Sequence, residues 1–210
     1  MAKIVLVAGQ KGGSGKTHLS HLLAHGCGSL SRPIASAVIV TDPGRPIPPG
    51  GDGSRRYAIF DGRPVERLPF VLDALRVTER LLIVLDGAAR QPELDEQMAR
   101  QVADLTILPF KSSEDDVECV LSDLTRIPGS VAVPTQWPTH PGTRRDYQHF
   151  LSRIPPDRRL DPVPHLPRLP VLLGERYDTV QSSLSRPGQS FAIEVLHRMG
   201  VHPLDLAMPR

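Results

Sequence analysis

The segment with the clearest chemical potential lies near the start of the chain, at residues 9–18, with the sequence GQKGGSGKTH. Its Gly15–Thr17 tail is the end of a phosphate-binding loop, in which backbone N–H groups and a lysine bind phosphates and a threonine hydroxyl ligates Mg²⁺. The strict pattern G-x-x-x-x-G-K-[ST] places its first glycine where this chain has Gln10, and a second lysine, Lys11, follows. The segment therefore indicates a nucleotide site of an unusual kind.

Lysine is rare elsewhere in the chain. Of the 25 lysines and arginines only four are lysines, and two of these, Lys11 and Lys16, lie in this loop. A compact ammonium group on a thin stem fits a tight phosphate-binding turn, whereas the broad guanidinium fork does not. We therefore expect both lysines to be functional.

A phosphate-binding loop needs a buried strand before it and a helix after it, and the sequence supplies both. Short apolar runs predict strands at residues 4–8, 35–40, 57–60, 81–85, 105–109 and 131–133. Helices are predicted from residue 19 to 26 or 28, and at 65–75, 92–101, 114–125, 144–153 and 190–199. This alternation predicts an α/β P-loop NTPase fold with a mostly parallel twisted sheet, helices on both faces, and a single domain spanning residues 1–210.

Two segments of that domain lack a clear pattern. Residues 43–55 are rich in proline and glycine and are predicted to form an exposed, mobile loop beside the site. Residues 134–210 are predicted to be a divergent basic part, because prolines and arginines obscure the periodicity there.

Several segments together resemble one known family. The segment Lys11–Thr17 matches K-G-G-x-G-K-[ST], which resembles the deviant Walker A motif of the ParA/MinD family of ATPases, closest to the small plasmid partition proteins of the ParF type. That family usually has a residue other than glycine at the Gln10 position. In the same order, Asp42-Pro43 resembles its switch I segment "DxDPQ", Asp86–Ala88 its Walker B end, and Ala103–Pro109 the following strand "ADLVIIP".

The resemblance implies ATP and Mg²⁺ as cofactors and gives each matching residue a role. Lys11 would reach across an ATP-bound homodimer to the partner's phosphates, and Asp42 would position the attacking water, so that Lys11, Lys16 and Asp42 are the expected catalytic residues. Thr17 would bind Mg²⁺ with Asp86 in its outer shell. The residues expected to hold the nucleotide are Lys11, Gly12, Gly13, Ser14, Gly15, Lys16, Thr17 and His18, of which His18 replaces a usual threonine or serine.

The function implied by the resemblance is a dimerising ATPase that partitions or positions DNA. ATP would gate non-specific DNA binding, and a ParB-like or small centromere-binding adaptor protein would stimulate an otherwise slow hydrolysis. Two alternatives stay open: the positioning of a non-DNA cargo on the nucleoid, and a non-hydrolysing scaffold in which ATP gates partner binding. A turnover assay with and without DNA separates the last from the others.

Arginines near the end of the chain are the candidates for DNA contact. Arg144, Arg145, Arg158 and Arg159 lie in a stretch with more basic than acidic residues, and guanidinium groups bind DNA phosphates without regard to sequence. The alternative is that these side chains form an ordinary solvated face.

Other candidate sites are weaker. Asp61 also ends a predicted strand, but the run before Asp86 is longer and more apolar, which favours Asp86 as the Walker B residue. His21 and His25 are four residues apart on a helix, yet no carboxylate or cysteine completes a metal site at helical spacing. The two cysteines are far apart and in no metal or redox spacing, so we expect free thiols.

The sequence also bears on location. It has no signal-peptide pattern at its start and no run of about 18 apolar residues, and its net charge is only +2. Pro203 and Pro209 interrupt the last segment, so the amphipathic membrane-binding helix of MinD-like relatives is not expected. We therefore expect a cytoplasmic, nucleoid-associated protein that does not bind membranes.

Overall fold

A six-stranded sheet forms the centre of the protein. The computed structural model describes residues 1–48, 55–64, 66–88, 91–174 and 181–207. The strands are β1 (Lys3–Val7), β2 (Ala35–Val40), β3 (Ala58–Asp61), β4 (Leu81–Asp86), β5 (Leu105–Phe110) and β6 (Val131–Pro134). They lie in the order β3-β2-β4-β1-β5-β6, and every neighbouring pair is parallel. This confirms the predicted α/β class as a single domain.

Helices connect the strands. They are α1 (Lys16–Gly28), α2 (Arg67–Arg76), α3 (Pro92–Gln101), α4 (Glu114–Arg126), α5 (Pro141–Ser152), α6 (Gln181–Arg198) and α7 (Pro203–Leu206), with 3-10 turns at Pro156–Arg158 and Leu169–Leu173. Helix α6 begins well before the predicted residue 190, and Pro187 lies inside it, although proline usually interrupts a helix. Helix α5 begins at Pro141, since a proline in the first turn gives up only an N–H that would have no helical partner.

The strands are buried on both faces, which explains their continuous apolar runs. In β1, Val5 and Val7 belong to the core formed with α1 and α6, whereas Ile4 and Leu6 belong to the core formed with α2, α3 and α4. Helices therefore cover both faces of the sheet, as predicted. None of the helices within the described ranges is both long and apolar enough to cross a membrane.

Helix α6 packs very closely against α1, the helix that follows the phosphate-binding loop. A Cβ atom on Gly26 of α1 would lie 2.0 Å from the carbonyl oxygen of Gly188 in α6. Only glycine permits the two backbones to approach in this way. Helix α6 therefore supports the helix that begins at the candidate site.

The predicted mobile loop at 43–55 is fixed at its C-terminal end. Residues 49–54 lie outside the described residues. The side chain of Arg55 is buried and donates hydrogen bonds to the carbonyl oxygens of Leu172 and Gly174, the latter at 2.8 Å. The expectation of an exposed, mobile segment is therefore wrong for Arg55, whose role the sequence pattern did not indicate.

Candidate nucleotide-binding site

The predicted phosphate-binding loop, Asp42 and Asp86 meet at one edge of the sheet. The register of β2, β4 and β1 places Val40 beside Asp86 and Asp86 beside Val7. The segments that follow these three strands therefore leave the sheet side by side. In open parallel sheets, ligands bind at this carboxyl edge.

The loop between β1 and α1 depends on its glycines. Gly9, Gly13 and Gly15 have φ values of 126°, 77° and 102°, which other residues rarely adopt. No atom lies within 4 Å of the position that a Cβ would take on Gly12 or Gly13. The outer side of the loop is therefore an open backbone cradle, which is the shape that a phosphate chain requires.

Lys16 lies inside this loop. Its Nζ donates hydrogen bonds to the carbonyl oxygens of Gly9, at 2.8 Å, and of Lys11, at 2.9 Å. Burial lowers the pKa of Lys16, while the charges of Asp95 and Asp86 act in the opposite direction. The ammonium group is thus held by the loop itself, at the base of the cradle.

Two buried carboxylates that the sequence analysis missed hold the first turn of the loop. Asp95 Oδ2 in α3 accepts a hydrogen bond from the Gly9 N–H at 3.2 Å. Asp123 in α4 accepts from both the backbone N–H and the side-chain amide of Gln10, each at 3.0 Å. This second pair explains why a glutamine can stand where the strict pattern has glycine, because its side chain anchors the loop to α4.

Asp86 combines burial with an unpaired oxygen. It ends β4, which lies directly beside β1, and is completely buried. Its Oδ1 accepts a hydrogen bond from Ser20 Oγ at 3.2 Å, while its Oδ2 has no hydrogen-bond partner among the described residues. Burial raises the pKa of Asp86 to about 6, and the hydrogen bond from Ser20 acts in the opposite direction.

Asp61 has a different environment. It ends β3, the edge strand, which β2 and β4 separate from β1, and Arg63 pairs with its carboxylate at 2.7 Å. Hydrogen bonding from Arg63 lowers the pKa of Asp61 to about 2. Asp61 is therefore used in an ion pair away from the phosphate-binding loop.

The donor set suits a magnesium ion that arrives with a nucleotide. The described residues contain no group of three or more side chains of the histidine, cysteine, aspartate and glutamate types that could hold a metal by themselves. The Thr17 hydroxyl and the unpaired Oδ2 of Asp86 offer oxygen only. Mg²⁺ prefers such oxygens, and it commonly keeps water and phosphate oxygens as its other ligands.

A polar cavity of about 200 Å³ opens above the loop. Gly12, Gly13, Lys16, Thr17, Asp42 and Arg45 are among its lining residues. Asp42, after β2, accepts a hydrogen bond from the Gly44 N–H at 2.9 Å, and its Oδ2 lies 3.6 Å from Arg45 Nε. Arg45 places a cation at the site that the sequence analysis did not identify.

A second, mainly apolar cavity of about 140 Å³ adjoins the first. Gly15, His18 and Gln136 line both cavities, and the second is completed by residues between Val163 and Pro170. Thr135 joins this wall to the loop, because its hydroxyl donates to the Ser14 carbonyl oxygen at 2.8 Å. The proline-rich lining segment has no periodic pattern, so sequence reasoning had no signal for it.

Arg158 and Arg159 donate hydrogen bonds to backbone carbonyl oxygens of the fold, and their expected contact with DNA remains a prediction. Both are half-buried. Arg158 donates to the carbonyl oxygens of Ser130 and Leu124 at 2.8 and 3.0 Å, and Arg159 donates to those of Leu151 and Ile154 at 2.6 and 3.0 Å. Arg144 and Arg145 are exposed on α5, although Arg144 Nε also donates to the Pro138 carbonyl oxygen at 3.0 Å.

Of the remaining candidate residues, the two histidines are buried, whereas Lys11 is accessible. His21 and His25 are completely buried between helices, and His21 Nδ1 lies 2.8 Å from the Tyr57 hydroxyl. Burial lowers the pKa of His21 to about 3, so this histidine is neutral. Lys11 is half-exposed on the loop and forms no ion pair with any residue that the structure describes.

No protein-family model and no curated protein matches the sequence. Solved structures do match. A putative plasmid partition protein of Borrelia burgdorferi bound to AMPPNP has a TM-score of 0.64 at 12% identity, with 94% of this chain and 100% of that chain covered. The MinD cell division protein of Aquifex aeolicus has a TM-score of 0.66 at 12% identity, covering 93% and 97%. The pNOB8 ParA protein bound to nonspecific DNA has a TM-score of 0.59 at 14% identity, covering 95% and 99%.

These matches extend over nearly the whole of each chain, including the part after residue 134 in which the sequence pattern is weak. At such low identities they establish a common fold and leave the activity to be argued from the site. The chain therefore has the fold of the P-loop ATPases that include ParA and MinD.

Proposed function

We propose that this chain is a Mg²⁺-dependent ATPase that dimerises when ATP is bound and partitions or positions DNA. The observation that carries the proposal is the pair of adjoining cavities around the loop. The polar cavity surrounds Lys16 and has the cradle for phosphates, while the apolar cavity beside it suits the flat face of a nucleobase.

The residues at the site have separate roles in binding the nucleotide and in hydrolysis. Lys16 and the N–H groups of the loop bind the phosphates, and the N-terminus of α1 adds the positive end of its dipole. Thr17 would bind Mg²⁺, with Asp86 in its outer shell, and the ion would neutralise charge on the phosphates. Asp42 orients the attacking water. His18, which lines both cavities, lies at the junction between phosphates and base.

Lys11 is assigned to the dimer. Lys16 already serves the phosphates from within the loop, and a second ammonium group on the same phosphates of the same subunit would face repulsion from it. Lys11 is half-exposed and carries no ion pair among the described residues, so its charge is available to a second molecule. Reaching the partner's phosphates would make dimerisation depend on the triphosphate and would stabilise charge in the transition state.

DNA binding is assigned to the exposed arginines of α5. A ParA of the same fold binds nonspecific DNA, and Arg144 and Arg145 remain exposed after Arg158 and Arg159 are assigned to the fold. Guanidinium groups contact phosphates without reading bases. The partner that stimulates hydrolysis is proposed to be a ParB-like or small centromere-binding adaptor, and the nucleoid is the proposed location.

Light scattering with AMPPNP and Mg²⁺ tests the dimer. The wild-type protein should double in mass, whereas Lys11→Ala should stay monomeric while keeping AMPPNP affinity within about threefold, since Lys16 remains. Lys3→Ala is the matched control, because Lys3 pairs with Asp104 at 2.8 Å at the opposite end of β1. A Lys11→Ala protein that still dimerises would refute the cross-subunit role. In a separate assay with ATP, wild-type binding without turnover would favour the non-hydrolysing scaffold.

A further inference from the structure

Arg45 has a fixed backbone position beside the candidate site. Its N–H donates to the Asp42 carbonyl oxygen at 3.0 Å, and its own carbonyl oxygen accepts from Arg63 Nη1 at 3.0 Å. Arg63 is in turn fixed by the carboxylate of Asp61 at the end of β3. The turn after Asp42 is therefore tied to the edge of the sheet, and this tie limits where the Arg45 side chain can reach.

The side chain of Arg45 faces the polar cavity. Arg45 lines that cavity together with Lys16 and Thr17. Burial lowers the pKa of Lys16 and of His18, and the charge of Arg45 acts in the same direction. The side chain is 47% exposed, which leaves it free to change its contacts.

The two cavities define the orientation in which a nucleotide would bind, an argument that rests on the proposed function. A nucleotide whose base occupies the apolar cavity must pass Gly15 and His18, which both cavities share, and its phosphate chain must then continue into the polar cavity. Of these two cavities, Asp42 and Arg45 line only the polar one, and Arg45 also reaches a third cavity of about 270 Å³ that it shares with Thr17. They therefore lie at the terminal-phosphate end of the site.

We propose that Arg45 is a ligand of the terminal phosphate of a nucleoside triphosphate. Without the triphosphate, the Asp42 carboxylate holds Arg45. When the triphosphate binds, its terminal phosphate takes the place of that carboxylate. The present contact is weak, because Arg45 Nε lies 3.6 Å from Asp42 Oδ2 in a half-exposed pair. A phosphate can accept two parallel hydrogen bonds from a guanidinium group and carries more charge than a carboxylate. The exchange releases Asp42 from Arg45 only when the terminal phosphate is present, and so couples water positioning to the triphosphate state.

Calorimetric titration with AMPPNP and with ADP, both with Mg²⁺, tests the ligand. Arg45→Gln should weaken AMPPNP binding about tenfold and ADP binding less than about twofold, since only the triphosphate loses a charged hydrogen bond. Arg45→Lys should keep most of the preference because it keeps a cation. Arg32→Gln is the matched control, as Arg32 is exposed after α1 at the opposite edge of the sheet. Thermal melting monitored by circular dichroism checks that each variant is folded.

The outcomes separate this inference from the proposed function. Wild-type protein that binds neither nucleotide would overturn both. Wild-type binding with an unchanged AMPPNP-to-ADP ratio in Arg45→Gln, or an equal loss of both nucleotides, would overturn the role of Arg45 and leave the nucleotide site intact.

A double-mutant cycle tests the exchange with Asp42. Asp42→Ala should tighten AMPPNP binding by a few-fold, because it releases the guanidinium group of Arg45. The gain should be smaller in the Arg45→Gln background, where there is no cation to release. Equal gains in the two backgrounds would show that Asp42 does not hold Arg45 from the phosphate.

Discussion

Replacing Asp95 by asparagine should make the protein more stable above pH 6, although this side chain holds the phosphate-binding loop. Asp95 is 2% exposed, and its carboxylate accepts a hydrogen bond from the Gly9 N–H. Burial raises the pKa of Asp95 from 3.8 to about 6, and the hydrogen bond from Gly9 and the charge of Lys16 offset only part of this effect. The ionised carboxylate therefore costs stability at neutral pH.

The sign and size follow from proton linkage. Between pH 3.8 and 6 the folded protein keeps a proton that the unfolded chain has lost, so the free energy of unfolding falls as the pH rises through this range. The full loss above pH 6 corresponds to about 3 kcal/mol. Asparagine carries no charge and can still accept from the Gly9 N–H. Asp95→Asn should therefore gain up to about 3 kcal/mol at pH 8 and about 0.5 kcal/mol at pH 4.

Asp95→Ala is the matched control for the hydrogen bond. Alanine removes the same charge but leaves the buried Gly9 N–H without an acceptor, which costs about 1–3 kcal/mol. The alanine variant should therefore be less stable than the asparagine variant at every pH, by that amount.

Urea unfolding without nucleotide, followed by circular dichroism at pH 4, 6 and 8, measures these differences. Burial also raises the pKa of Asp86, so each variant must be compared with the wild type at the same pH. An asparagine variant no more stable than wild type at pH 8 would refute the argument that the buried charge of Asp95 is costly. Equal stability of the asparagine and alanine variants would show that the bond to Gly9 contributes nothing.

Two further predictions concern the packing of α1 and the exposed arginines. Gly26→Ala should cost at least about 2 kcal/mol in urea unfolding, because its Cβ would meet the backbone of Gly188, whereas Gly142→Ala, which meets only the His140 side chain, should change little. A fully stable Gly26→Ala would contradict the close helix contact. Arg144→Glu with Arg145→Glu should abolish AMPPNP-dependent DNA binding, measured by fluorescence anisotropy at several salt concentrations, and spare AMPPNP affinity. Retained DNA binding would mean that these arginines are an ordinary solvated face.

Much of the site could be predicted because its residues are close together in sequence. The loop, its lysines and Thr17 follow one another after β1, and the positive φ values fall at glycines in the motif. The end of a buried strand also marks Asp86 as a residue at the carboxyl edge of the sheet. Strand order separates it from Asp61, since β4 lies beside β1 whereas β3 lies at the edge.

What the sequence did not reveal depends on contacts between distant segments. Asp95 and Asp123 reach the loop from helices far along the chain, and nothing in their local pattern marks them as partners of Gly9 and Gln10. The composition of an arginine-rich segment cannot tell an exposed side chain from one that is half-buried and donates to several carbonyl oxygens. Arg158 therefore looked like Arg144 in the sequence, although the fold uses the two differently.

The most direct test of the nucleotide site is a calorimetric titration of the wild-type protein and Lys16→Ala with Mg²⁺ and AMPPNP, with Lys3→Ala as the control. Lys16 supplies the cation at the base of the cradle from within the loop, and its Nζ is held there by the Gly9 and Lys11 carbonyl oxygens. Wild type and Lys3→Ala should bind one nucleotide per chain, and Lys16→Ala should bind at least about 100-fold more weakly. Equal affinity of Lys16→Ala and wild type, or no binding by wild type, would contradict the assignment of this loop as an ATP site.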